Sequence, residues 1–96
     1  MVFEPDLSQA PPLKAIVRDR NGLLYQGEAR AISSFNEKGE FDILSMHQNF
    51  ISIIMKELII LQMNGEKKNI PVQSGVVTVR ENSVEAYLGI LHEKTT

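Results

Sequence analysis

The chain has 96 residues, 43% of them hydrophobic and 23% charged, with ten basic and twelve acidic side chains giving a net charge of −2. That length holds one domain, and so balanced a charge excludes electrostatic capture of nucleic acid, which needs a clustered basic surface. The absence of cysteine excludes disulfides, thiolate zinc sites and thiol nucleophiles.

Residues 1–12 carry three of the four prolines, which remove amide donors and fix φ, so this lead-in is expected to be extended or disordered. No basic segment followed by a long apolar run opens the chain, and no signal peptide is expected. From Leu13 the chain reads as short strands punctuated by turns. Leu13–Asp19 is rich in strand formers, and Asn21-Gly22 supplies a hairpin turn, since both residues tolerate positive φ. The return strand, Leu23–Phe35, holds Gly27, which signals a bulge or bend. Asn36–Gly39 is the next turn. Glu40–Leu44 alternates, placing Phe41 and Ile43 on one face and Glu40 and Asp42 on the other.

Asn49–Leu61 is the one ambiguous window. Its β-branched isoleucines and the charged break at Lys56-Glu57 favour two short strands, or a strand and a turn, over a helix. A second Asn-Gly pair, Asn64-Gly65, separates Glu57–Met63 from Lys67–Gln73, and the last hairpin joins Gly75–Arg80 to Val84–Leu91. The sum is an all-β domain over residues 13–91, a small β-sandwich or flattened barrel of about ten short strands, with 92–96 as a tail. With no tryptophan, four phenylalanines and two tyrosines, its core has to come mainly from Ile, Val, Leu and Met.

Little in the sequence points to chemistry. Glu40, Asp42 and His47 are the one acid–acid–histidine grouping, and a strand puts the two carboxylates on a common face. A hydrolytic zinc site generally needs three protein ligands and an open position, and the only other histidine is His92 in the tail. The plainer reading makes Glu40 and Asp42 a solvated strand face and His47 part of a turn. No Gly-x-Ser-x-Gly or phosphate-binding loop is present, and no cofactor is implied. The longest apolar stretches, Ile53–Met55 and Leu58–Leu61, fall far short of the roughly 20 residues of a spanning helix, so no membrane insertion is expected.

Three segments, in order, resemble the epsilon subunit of F-type ATP synthase. "GLLYQGEARAIS" is similar to that family's Gly-x-x-hydrophobic-x-Gly-Glu opening. "GEFDILSMHQNFIS" resembles its Gly-Glu-hydrophobic-x-Ile-Leu-Pro-Gly-His segment, and "VQSGVVTVRENSVEAYL" its closing hairpin. Ser45-Met46 stands where the family has Pro-Gly, and Val76 replaces the second glycine after Ser74. Methionine enters positive φ less cheaply than glycine, so the turn before His47 is expected to be looser.

The resemblance implies a non-catalytic rotor part at the cytoplasmic face of the cell membrane, binding the gamma subunit and resting on the ring of c subunits. By matching position, Gly39, Glu40, Phe41 and His47 are the c-ring contacts, while Val77, Val79 and Tyr87, taken as exposed apolar side chains on late strands, are assigned to gamma. Family members usually continue into a C-terminal helical hairpin that restrains ATP hydrolysis. This sequence stops at "HEKTT", so that role is not carried over. Two alternatives stay open: a free-standing β-sandwich adaptor binding a peptide or protein edge, and a metal enzyme built on Glu40, Asp42 and His47.

Overall fold

The computed structural model describes residues 11–46 and 48–89, which form six strands and no helix. They are β1 (Leu13–Asp19), β2 (Gly22–Asn36), β3 (Gly39–Leu44), β4 (Phe50–Gln62), β5 (Lys67–Arg80) and β6 (Ser83–Leu88). The sheet order is β1-β6-β5-β4-β2-β3, and a further β1–β2 pairing closes it on itself. All pairs are antiparallel except β1–β6. The β-sandwich or flattened barrel expected from the sequence is what forms, with six strands rather than ten.

The difference in count has a physical cause. β2, β4 and β5 are 15, 13 and 14 residues long, and each runs through both layers of the sandwich. In one layer β4 before its bend and β5 after its bend lie beside β6, β1 and the start of β2; in the other, their remaining halves lie beside the end of β2 and β3. We call these the five-stranded and four-stranded layers. At Lys56-Glu57, where the sequence suggested a break, β4 bulges instead: Lys56 takes φ 72° and the β4–β5 register shifts between Ile54 and Lys56. A bulge bends a strand without ending its ladder.

Ser34 completes that corner. Its side chain is fully buried where the β2–β4 register jumps from Ser33↔Ile59 to Phe35↔Met55, and its hydroxyl donates to the Glu57 carbonyl at 2.8 Å. The hydroxyl satisfies a carbonyl that the interrupted ladder leaves over. At the corresponding bend in β5, Gly75 runs against β6: a Cβ there would stand 2.8 Å from the Tyr87 carbonyl and 2.9 Å from a Leu88 methyl.

Gly27 marks no bulge. It pairs in register with Ala15, and the Tyr25 ring lies across it, its hydroxyl donating to the Glu28 carbonyl at 3.0 Å. An aromatic laid over an edge-strand glycine restores the packing that the missing side chain forfeits. The irregularity of this hairpin lies between Val17 and Arg18 instead.

Between the layers lies one core: Leu13, Val17, Ile32, Ile43, Ile54, Leu58, Ile60, Val77 and Val79 are essentially inaccessible, and Tyr25, Phe41 and Phe50 pack against it. Each such Ile or Leu contributes about 1.5–3 kcal/mol on burial. The unpaired edge of β5, Lys67–Val72, carries exposed Lys67, Lys68 and Pro71, which discourage another strand from adding there.

Candidate functional site

The described residues hold no group of three His, Cys, Asp or Glu arranged for a metal ion. Of the acid–acid–histidine grouping, Glu40 and Asp42 point outward from β3 as the alternation requires, and Asp42 accepts the Ser33 hydroxyl at 2.6 Å. His47 lies outside the described residues, as do His92, the residue 92–96 tail and most of the 1–12 lead-in.

Gly39, Glu40 and Phe41 open β3 opposite Asn36, Phe35 and Ser34. Glu40 is exposed, whereas Phe41 is half-buried and meets Phe50 edge to face with ring centroids 5.9 Å apart. Beside them is an open cleft of about 450 Å³ lined by residues of the β2–β3 turn and the start of β4, among them Lys38, Phe50, Ile51 and Ile53. Ser45 and Met46 lie at the far end of β3, so Glu40 and Ser45 are about 17 Å apart at ordinary strand rise. The described part of the segment therefore presents two separate features.

The second feature is the Met46 turn. Met46 sits at φ 66°, the left-handed geometry that suits glycine, and is the most exposed large apolar residue described, at 77%. Its N–H donates to Asn82 Oδ1 at 2.8 Å, and the Glu81 N–H donates to Asn49 Oδ1 at 2.7 Å. The Lys14 N–H donates to the Asn82 carbonyl at 2.8 Å, and the Ser45 hydroxyl donates to the Pro11 carbonyl. Where a looser turn was expected, the Met46 and Ser45 bonds tie it to the β5–β6 turn and to Pro11, just ahead of β1.

The broadest feature is the outer face of the five-stranded layer. The register sets Ile53, Val76, Tyr87, Arg18 and Leu23 in one row across five strands. The next row is Ile51, Thr78, Glu85, Ile16 and Gln26, and the row beyond holds Arg80, Ser83, Lys14 and Glu28. Polarity thus rises along the strands from an apolar edge to a charged one. Four of the exposed large apolar residues lie here: Ile51 at 68%, Ile53 at 55%, Leu23 at 50% and Tyr87 at 38%. Exposed apolar residues gathered on one face of a small domain, here with Arg18 set between Tyr87 and Leu23, mark a surface for a partner.

Of the three residues assigned to gamma, Tyr87 lies in this row. Val77 and Val79 do not: they are 0% and 1% exposed, facing the core while Val76 and Thr78 face out. Their expected exposure is corrected, and the reason is strand alternation, which gives one face of β5 to each side of the layer. Sequence reasoning also passed over Ile51, Ile53 and Leu23. A signal was present, because β4 opens with apolar residues on both alternating faces, Phe50 and Ile54 on one and Ile51 and Ile53 on the other.

Comparison with known proteins agrees with this architecture. Residues 13–87 match the family described as ATP synthase, Delta/Epsilon chain, beta-sandwich domain. The ATP synthase epsilon chain of a Nitratiruptor species is 31% identical over 75 residues, covering 77% of this chain and 58% of that one. That of Sulfurimonas denitrificans is 30% identical over 73 residues, covering 75% and 56%. This chain therefore spans somewhat over half the length of those curated relatives. Among solved structures, a chain of the Euglena gracilis mitochondrial ATP synthase superposes with a TM-score of 0.76 at 18% identity, covering 83% of this chain and 52% of that one. A chain from the central stalk and c-ring of the Tetrahymena thermophila enzyme does so with a TM-score of 0.69 at 13% identity, covering 91% and 78%. At these identities the likeness is one of fold.

Proposed function

This chain belongs to the delta/epsilon family of ATP synthase chains, whose β-sandwich domain it carries, and from that premise we propose that it is a central-stalk rotor subunit of an F-type ATP synthase. It joins the gamma subunit to the c-ring and passes torque between them without performing bond chemistry itself. It acts peripherally, at the cytoplasmic face of the cell membrane; no described helix is long and apolar enough to cross a bilayer.

The observation that carries the reading is the family match over residues 13–87, which takes in every strand that builds the outward apolar row. We assign that row, with Ile51, Ile53, Val76, Tyr87 and Leu23, to gamma. Burying apolar side chains at the centre of an interface, with Arg18 and Glu85 among them to set register, is how stable contacts are made. Gly39, Glu40, Phe41 and His47 are assigned to the c-ring by their position in the family segment. A sheet closed through β1–β2 suits a part that must transmit torque without shearing.

Co-purification from the source cell tests the proposal: gamma and the c-ring are expected to accompany the tagged protein, and absence of both refutes it. Adding folded gamma to the isolated protein is expected to raise its melting temperature, because a partner that binds only the native state stabilises it. An unchanged melting temperature counts against the gamma assignment.

A further inference from the structure

The two Asn-Gly pairs are alike in sequence and both exposed in hairpin turns, yet the structure holds them differently. In both turns the glycine alone takes positive φ, 132° at Gly22 and 92° at Gly65. At Asn64 the side chain is pinned, its Oδ1 accepting the Glu66 N–H at 2.9 Å. Both glycines sit in ordered backbone, Gly65 donating its N–H to the Gln62 carbonyl at 2.9 Å and Gly22 pairing with Asp19 in the β1–β2 ladder, so the difference lies in the side chains. At Asn21 only the backbone is held, its N–H donating to Asp19 Oδ1 at 2.8 Å. The Asn21 carboxamide has no hydrogen-bond partner among the described residues.

A glycine after asparagine leaves its amide nitrogen unhindered for attack on the asparagine side chain. That attack needs the carboxamide carbon to swing onto the nitrogen, and a carboxamide already bonded elsewhere must first be released. We propose that Asn21 is a modification site, converting to aspartate and isoaspartate ahead of Asn64. The Gly22 nitrogen bonds to Cγ of Asn21 and loses its proton, and the bond from Cγ to Nδ2 breaks to release ammonia, leaving a five-membered succinimide. Water then opens the ring at either carbonyl, breaking one bond to the Gly22 nitrogen. Overall one water is consumed and one ammonia released, with no change of oxidation state.

The product carries a new carboxylate beside Asp19, and the isoaspartyl form adds a carbon to the main chain of the turn leading into Leu23. Leu23 ends the apolar row, so the reaction edits the rim of that face; this consequence for gamma rests on the function proposed above, while the chemistry does not.

The test is to hold the whole folded protein in mildly alkaline heavy-oxygen water at physiological temperature and to follow both peptides by mass spectrometry, with a parallel sample in concentrated urea. Folding is expected to shift the ratio of the Asn21 rate to the Asn64 rate by about fivefold in favour of Asn21, the worth of one retained side-chain hydrogen bond. A ratio that folding leaves unchanged, or shifts toward Asn64, overturns the proposal. The Asn21→Gln variant is expected to lose heavy-oxygen uptake in that peptide alone, and persistent uptake there overturns it as well. Neither readout involves gamma, so failure of the rotor assignment leaves this result intact.

Discussion

The outer faces of the two layers are finished in different ways. On the four-stranded layer, outward polar groups find partners on the same face: Ser33 with Asp42 at 2.6 Å, Asn69 Nδ2 with Glu57 Oε2 at 2.6 Å, and Lys56 Nζ over the Phe35 ring, 5.4 Å from its centre. Its outward apolar residues, Phe35, Leu44, Ile59 and Leu61, are each half-buried by neighbours. The five-stranded layer leaves Ile51, Ile53, Leu23 and Tyr87 open to solvent. One surface is completed by the chain's own side chains, and the other is left for something else to cover. A small sandwich has one core, so outward apolar side chains that no neighbour on the same face covers can be buried only by a partner.

This contrast makes graded demands on mutants. The largest effect is expected inside: Ile60→Ala removes a fully buried side chain from β4 and should cost about 2–5 kcal/mol in urea unfolding. Gly75→Ala should follow at about 1–3 kcal/mol, because the new methyl meets the backbone of β6, which cannot yield as a flexible side chain would. Met46→Gly should act in the opposite direction, stabilising by about 0.5–1 kcal/mol; it relieves positive φ at a residue whose side chain is 77% exposed and leaves the N–H bond to Asn82 in place. The smallest effect on stability belongs to Ile53→Ser, within about 0.5 kcal/mol, since Ile53 is 55% exposed on the strand that also carries Ile60. The same variant should weaken capture of gamma markedly. If Ile53→Ser instead unfolds as readily as Ile60→Ala, the open face belongs to the domain's own packing and the two layers do not differ as described.

Much of the strand layout was readable from residues alone. β1 was bounded at both ends, Leu13–Asp19, because its strand formers run straight into a turn, and both Asn-Gly turns fell where hairpins form. Glu40–Leu44 was assigned its inner and outer faces because Phe41 and Ile43 make one alternating set wholly apolar while the other opens with two carboxylates. Prediction faltered where both sets are apolar. In Val76–Val79 and Phe50–Ile54, period-two spacing says that neighbours point oppositely without saying which side is the core.

The sequence therefore carried the fold class, the turns and the family, all of which follow from local spacing and from segments matched in order. It did not carry the route of the long strands, for a bulge at Lys56 and a strand end look alike until the neighbouring ladder is seen to continue. Nor did it carry the composition of the outward row, because Ile53, Val76, Tyr87, Arg18 and Leu23 belong to five strand segments and meet only through register. Spacing along one strand is local information, whereas which residues become neighbours across a sheet depends on how every strand slides against the next.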